Sequence, residues 1–150
     1  MTERFFVDTH VFVYARDAGE AEKQPGAAAW LEWLWHERLG RISYQVLIEY
    51  YQVVTRKLSP GLDIETARQD VRDLLAWRPV AVDDAVLEQA WQVQDRFSLS
   101  WWDALIVGAA QRAGCRYLLS EDLQAGQDLD GIIVVDPFES SPAGLMRIQE

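Results

Sequence analysis

Asp8, Glu49, Asp103 and Asp122 are four carboxylates far apart in the chain, each placed where a strand or helix would aim it toward a shared point. Asp8 ends the apolar run Phe5-Phe6-Val7, and Asp122 follows Tyr117-Leu118-Leu119. Glu49 and Asp103 lie inside helical patterns, in otherwise apolar company. Carboxylates at the carboxyl ends of parallel strands occupy the ligand-binding edge of an open α/β sheet. Gathered there without a cation they would repel one another, so the arrangement implies bound metal. Oxygen donors suit a hard divalent cation, and the His and Cys clustering that zinc prefers is missing from the pattern.

Each acid taken alone also has a structural explanation. Asp8 could cap the helix that follows it. Ser100 and Asp103 fit a capping box, and Asp122 fits a turn. Glu49 decides between the readings. Val46, Leu47, Ile48, Tyr50, Tyr51, Val53 and Val54 surround it along the helix, and a Glu is rarely buried unless paired or coordinating.

The elements that must position these acids follow from the hydrophobic pattern. Residues 4–8, a short stretch around 41–44, 79–82, 116–120 and 132–135 read as strands. Helices are expected over about 11–16, 27–39, 45–57, 63–77, 83–97 and from Ser100 to Gly114, with Asp63 as an N-cap and Ser59-Pro60-Gly61 as a stop. Residues 121–131 read as a polar turn. Short apolar strands alternating with helices predict an α/β fold, a central mainly parallel sheet covered on both faces. One domain over residues 1–138 is expected, with 139–150 as a loosely held C-terminal tail.

Composition narrows the setting. The chain has 150 residues, 49% of them apolar, and no apolar run near the roughly 20 residues that span a bilayer. The opening Met-Thr-Glu-Arg lacks a signal-peptide pattern, and the single cysteine, Cys115, permits no intrachain disulfide, so a cytoplasmic setting is expected. Cys115 reads as a small buried apolar residue. A formal net charge of −10 opposes tight, nonspecific binding to duplex nucleic acid and suits a basic protein partner.

Four segments together resemble the PIN-domain ribonucleases of the VapC toxin type: Phe6-Val7-Asp8-Thr9, residues 42–49 ending in Glu49, Leu99-Ser100-Trp101-Trp102-Asp103-Ala104, and Leu119-Ser120-Glu121-Asp122. The resemblance implies a three-layer α/β/α sandwich and RNA hydrolysis by metal-activated water, leaving a 5′-phosphate and a 3′-hydroxyl. It implies Mg²⁺ as cofactor, with Mn²⁺ a possible substitute. It also implies a homodimer acting as the toxin of a type II pair, held in check by a cognate antitoxin, on an RNA such as tRNA or rRNA. The family's acidic residues carry over to Asp8, Glu49, Asp103 and Asp122, and its hydroxyl positions to Thr9 and Ser120. Asp8 and Asp103 are then the principal metal ligands. Glu49 is a further ligand or orients the attacking water, and Asp122 acts through water or on a second ion. Thr9 and Ser120 orient the carboxylates or bridge to phosphate. The family often has Asn where this chain has His10.

Two other classes compete: a PIN-fold module that binds RNA or protein without catalysis, and a phosphatase with an aspartyl nucleophile. The second requires another Asp two residues after Asp8, where His10 stands. Arg56, Lys57 and Arg16 are candidates for phosphate contacts, although Arg56 and Lys57 read first as complementing a helix C-terminus. His10 and His36 have no partner in the sequence pattern that would make a catalytic pair. Trp30 and Leu34 read as core, whereas Trp33 falls near the opposite side, where it would either mark a partner surface such as a groove for an antitoxin helix or belong to a core wrapped around a Trp-rich helix. Trp91, Trp101 and Trp102 raise the same question for a dimer interface.

Overall fold

A computed structural model of the chain describes residues 3–149. A five-stranded sheet runs in the order β2-β1-β3-β5-β4, from β1 (Arg4–Val7), β2 (Gly40–Arg41), β3 (Cys115–Leu119), β4 (Asp128–Leu129) and β5 (Ile132–Val135). Every pairing is parallel except β4 with β5. Phe5, Phe6 and Val7 point to alternating faces yet all are fully buried, so helices cover both sides of the sheet. The expected three-layer α/β/α architecture is thus what the chain adopts.

The helices are α1 (Thr9–Arg16), α2 (Gln24–Glu37), α3 (Tyr44–Arg56), α4 (Ile64–Leu74), α5 (Asp84–Phe97), α6 (Trp101–Arg112) and α7 (Pro142–Gln149), with a 3-10 turn at Leu75–Trp77. Four begin at a side chain that accepts the third backbone N–H of the helix: Ser43, Asp63, Asp83 and Ser100. Helix α6 packs closely on α5 through Gly108, where a Cβ would lie 3.1 Å from Ala90 N and Val86 O.

Several expectations need correction. The strand expected at 79–82 reduces to Val80, which joins only an isolated bridge to Ser43. Pro79 has no N–H to donate, and Asp83 already caps α5, so only the three residues 80–82 lie between them, too short a span to build a ladder. The expected polar turn at 121–131 contains β4, joined to β5 by a two-residue turn. Asp130 and Gly131 adopt φ 53 and 97, the left-handed pair that a type I′ hairpin requires. Trp33 is half-buried, edge-on to Phe5 at 5.6 Å and to Trp30 at 6.0 Å. Three residues after Trp30 on a helix, it shares that residue's face. Trp35 is the exposed aromatic of α2.

Beyond Pro137, α7 occupies a segment to which the hydrophobic pattern assigns no element, and Leu145 packs against the core. The Trp30 indole N–H donates to the carbonyls of Pro137 and Ser140, fastening the approach to α7. Glu150, the last residue of the expected tail, lies outside the described residues, as do Met1 and Thr2. No helix among the described residues is long and apolar enough to cross a membrane.

Candidate metal centre

The register Val7↔Leu119 places the ends of β1 and β3 side by side, where the chain's crossovers turn in opposite directions. Asp8 and Ser120 are the next residues along. Asp8 N donates to Leu119 O, and Ser120 Oγ donates to Asp8 Oδ2 at 2.9 Å. Ser120 Oγ also accepts from Asp122 N, and Asp8 Oδ1 accepts from Thr9 N at 2.8 Å. Asp8 is therefore both a cap of α1 and a wall of the cavity beyond it. The two readings of this residue coexist, and Ser100 with Asp103 repeats the pattern on α6.

All four expected carboxylates line one cavity of about 340 Å³, together with Thr9, His10 and Gln45. Ser120 lies buried behind it. Thr9 Oγ1 donates to Glu49 Oε2 at 3.0 Å, and Gln45 Nε2 donates to Glu49 Oε1 at 2.9 Å, so both oxygens of Glu49 are held. Glu49 itself is half-buried rather than buried, because Ile48 and Tyr44 on the same helix face outward. Its apolar neighbours in sequence occupy other faces of α3, which weakens the inference drawn from them. Asp103 is half-buried and Asp122 exposed.

Two residues that the sequence pattern left out belong to the cavity. His10 Nδ1 lies 3.5 Å from Asp122 Oδ2 and 3.8 Å from Asp8 Oδ2, and these three residues alone among those described can offer ligand atoms within 4.8 Å of one another. His10 Nε2, however, accepts from Glu121 N at 3.0 Å. A neutral ring so held carries its proton on Nδ1, which makes His10 a donor toward the two carboxylates and not a ligand. The donor set stays oxygen-rich. Gln45 is the second addition: it lines the cavity, its Nε2 donates to Glu49, and its Oε1 is buried without a hydrogen-bond partner. That orphaned oxygen beside four carboxylates fits a hard divalent ion. The spacing Gln45 to Glu49, one helical turn, is a signal that could have found it.

Electrostatics agree. Burial pushes the Asp8 carboxyl above its ordinary value, and the charge of Asp122 adds to this, against the opposing pull of His10 and of hydrogen bonds from Ser120 and Thr9. Burial also pushes Glu121 up, but hydrogen bonds from Lys23 and Tyr14, both at 2.8 Å, outweigh it and leave Glu121 below its ordinary value. This ion pair fixes the backbone that orients His10. Arg16, a candidate for phosphate, is instead paired with Asp70 through two hydrogen bonds beside a separate cavity. Arg56 and Lys57 are exposed at the end of α3, and His36 is exposed on α2. Cys115 is buried as expected, its thiol pushed up to about 12 by that burial.

A family model described as PIN domain matches residues 5–127, most of the chain and all four carboxylates. No curated protein matches it.

Proposed function

The chain belongs to the PIN-domain family, and on that premise we propose that it is a Mg²⁺-dependent endoribonuclease, the toxin component of a type II toxin–antitoxin pair. The observation that carries this reading is the convergence of Asp8, Glu49, Asp103 and Asp122 on one cavity whose remaining buried acceptor, Gln45 Oε1, is unpaired. Members of the family are generally nucleases that use divalent metals. When bound, Mg²⁺, or Mn²⁺ in its place, supplies charge stabilisation at the phosphoryl group and activation of water.

The chain's own residues do the rest. Asp8 and Asp103 hold the ion, with Asp122 supplementing them at the solvent side. Glu49, pinned by Thr9 and Gln45, orients the attacking water for in-line displacement, with 5′-phosphate and 3′-hydroxyl products. His10 Nδ1–H steadies Asp8 and Asp122, and Ser120 fixes the rotamer of Asp8.

An exposed apolar face of Tyr44, Ile48, Val82 and Trp102 supports a homodimer, and the net charge of −10 supports a basic antitoxin. A lone buried cysteine suits the reducing cytoplasm. The test is incubation of total RNA with the purified chain in Mg²⁺, Mn²⁺ or EDTA, beside Asp103→Asn. Discrete fragments should form only with metal and only with the wild type. Intact RNA in every wild-type lane would favour the noncatalytic binding module instead.

A further inference from the structure

The chain's few cations are unevenly spent. Arg16, Arg72 and Arg96 each meet a carboxylate. Arg38, Arg41 and Arg78 instead line one cavity of about 360 Å³ with Trp35 and Trp77, and no described carboxylate pairs with any of the three. Arg4, likewise without a carboxylate, is near enough for its charge to act on Arg41. Burial first, then the charges of Arg4 and Arg78, hold the Arg41 guanidinium below its ordinary value, against the pull of Cys115. Four like charges gather here in a chain whose net charge is −10.

Single explanations cover single residues. Arg38 and Arg78 follow the C-termini of α2 and of the 3-10 turn, where cations are favoured. Arg41 lies on the edge strand β2, where charge discourages pairing with other chains. None of these accounts requires the three to share a cavity. Nor do they explain its form. Arg41 Nη1 is anchored on the carbonyls of Arg38 and Gly40, which leaves the rest of its fork free. Gly40 admits the Trp77 ring, since a Cβ there would lie 2.5 Å from it. Trp77 in turn props the half-exposed Trp35, centroids 6.0 Å apart. Guanidinium forks match phosphate oxygens, and an accessible indole beside them offers a platform for a base.

We propose that this cavity is a second binding site, for the phosphodiester backbone of single-stranded RNA, with Arg38, Arg41 and Arg78 on phosphates and Trp35 stacking on a base. The choice of RNA rests on the ribonuclease reading. The site is built on Gly40 and Arg41 of β2, which pair with Phe5 and Phe6 of β1, whereas the carboxylates stand past the carboxyl end of β1, with Asp8 roughly 7–10 Å further along the strand. It therefore holds a part of the RNA away from the bond that is cut, on a molecule whose overall charge repels polyanions.

The test is fluorescence anisotropy in EDTA, with a labelled single-stranded RNA of about 16 nucleotides, on Asp103→Asn protein that cannot cleave it. Arg38→Asn with Arg78→Asn is compared with the paired Lys substitutions. Both side chains are exposed and both backbones left-handed, at φ 60 and 54, a conformation Asn tolerates, so the fold is kept and thermal melting checks it. The Asn pair should weaken binding about tenfold and flatten the slope of log affinity against log salt by about 1.4, or 0.7 per lost contact. The Lys pair should retain most of that slope. Equal affinity and slope in the Asn pair, or no RNA binding by the parent protein, overturns the proposal. Because binding is read without metal or cleavage, arginine-dependent binding by a wild type that cuts nothing would leave this site standing and remove the nuclease reading alone.

Discussion

Asp8 answers two opposed demands. It must be buried to cap α1 and to accept from Ser120, and it must be ionised to hold a cation. Burial raises its folded-state pKa, so the stability it contributes is present below its ordinary value of 3.8 and is lost as pH rises through the folded value. Without metal, Asp8→Asn should therefore melt higher than the wild type at neutral pH, and the gap should close as pH falls toward 3.8. A gap that widens toward acid would show that the carboxylate is not strained. Thr9 acts through Glu49, and Thr9→Val should leave the melting temperature nearly unchanged while cleavage falls about 10–100-fold, the usual loss when a ligand's support is removed. Asp8 was legible in the sequence because it ends a strand, whereas Thr9 and Ser120 were reached only through the family resemblance. His10 was not, since its orientation comes from the backbone of Glu121 on a distant loop, itself fixed by Lys23 and Tyr14.

At the scale of elements, the site depends on where α6 sits, because α6 carries Asp103. Its position is set by close approach to α5 at Gly108. Gly108→Val should force the pair apart, lowering stability by about 1–3 kcal/mol in urea unfolding. Cleavage should fall beyond what that instability explains, because Asp103 moves away from Asp8. Helix starts were legible at Asp63, Asp83 and Ser100, which each make the capping bond their residue type favours, whereas Ser43, read as part of a strand, caps α3. Edge pairing was less so. Asp130-Gly131 is a hairpin signal, but only two residues on each side pair across it, too few to show alternation. Val80 pairs with a neighbour through long-range geometry that no local pattern carries.

At the scale of the molecule, the alternation of short apolar strands and helices made the α/β architecture readable. The surface was harder, since the helical phase of Trp33 and Trp35 decides which is core, and both are aromatic. Ile48, 69% exposed on α3, stands at the centre of the apolar face assigned to the dimer. Ile48→Asp should convert a dimer to a monomer by light scattering, and a wild type already monomeric at high concentration would remove that interface. The proposed nuclease activity depends on the four carboxylates forming one metal centre. Calorimetric titration of Mn²⁺ into the wild type and Asp8→Asn tests it without RNA or cleavage. A single metal centre requires a saturable site in the wild type whose affinity falls at least about tenfold in the variant. Equal binding in both proteins, or none in either, would contradict it.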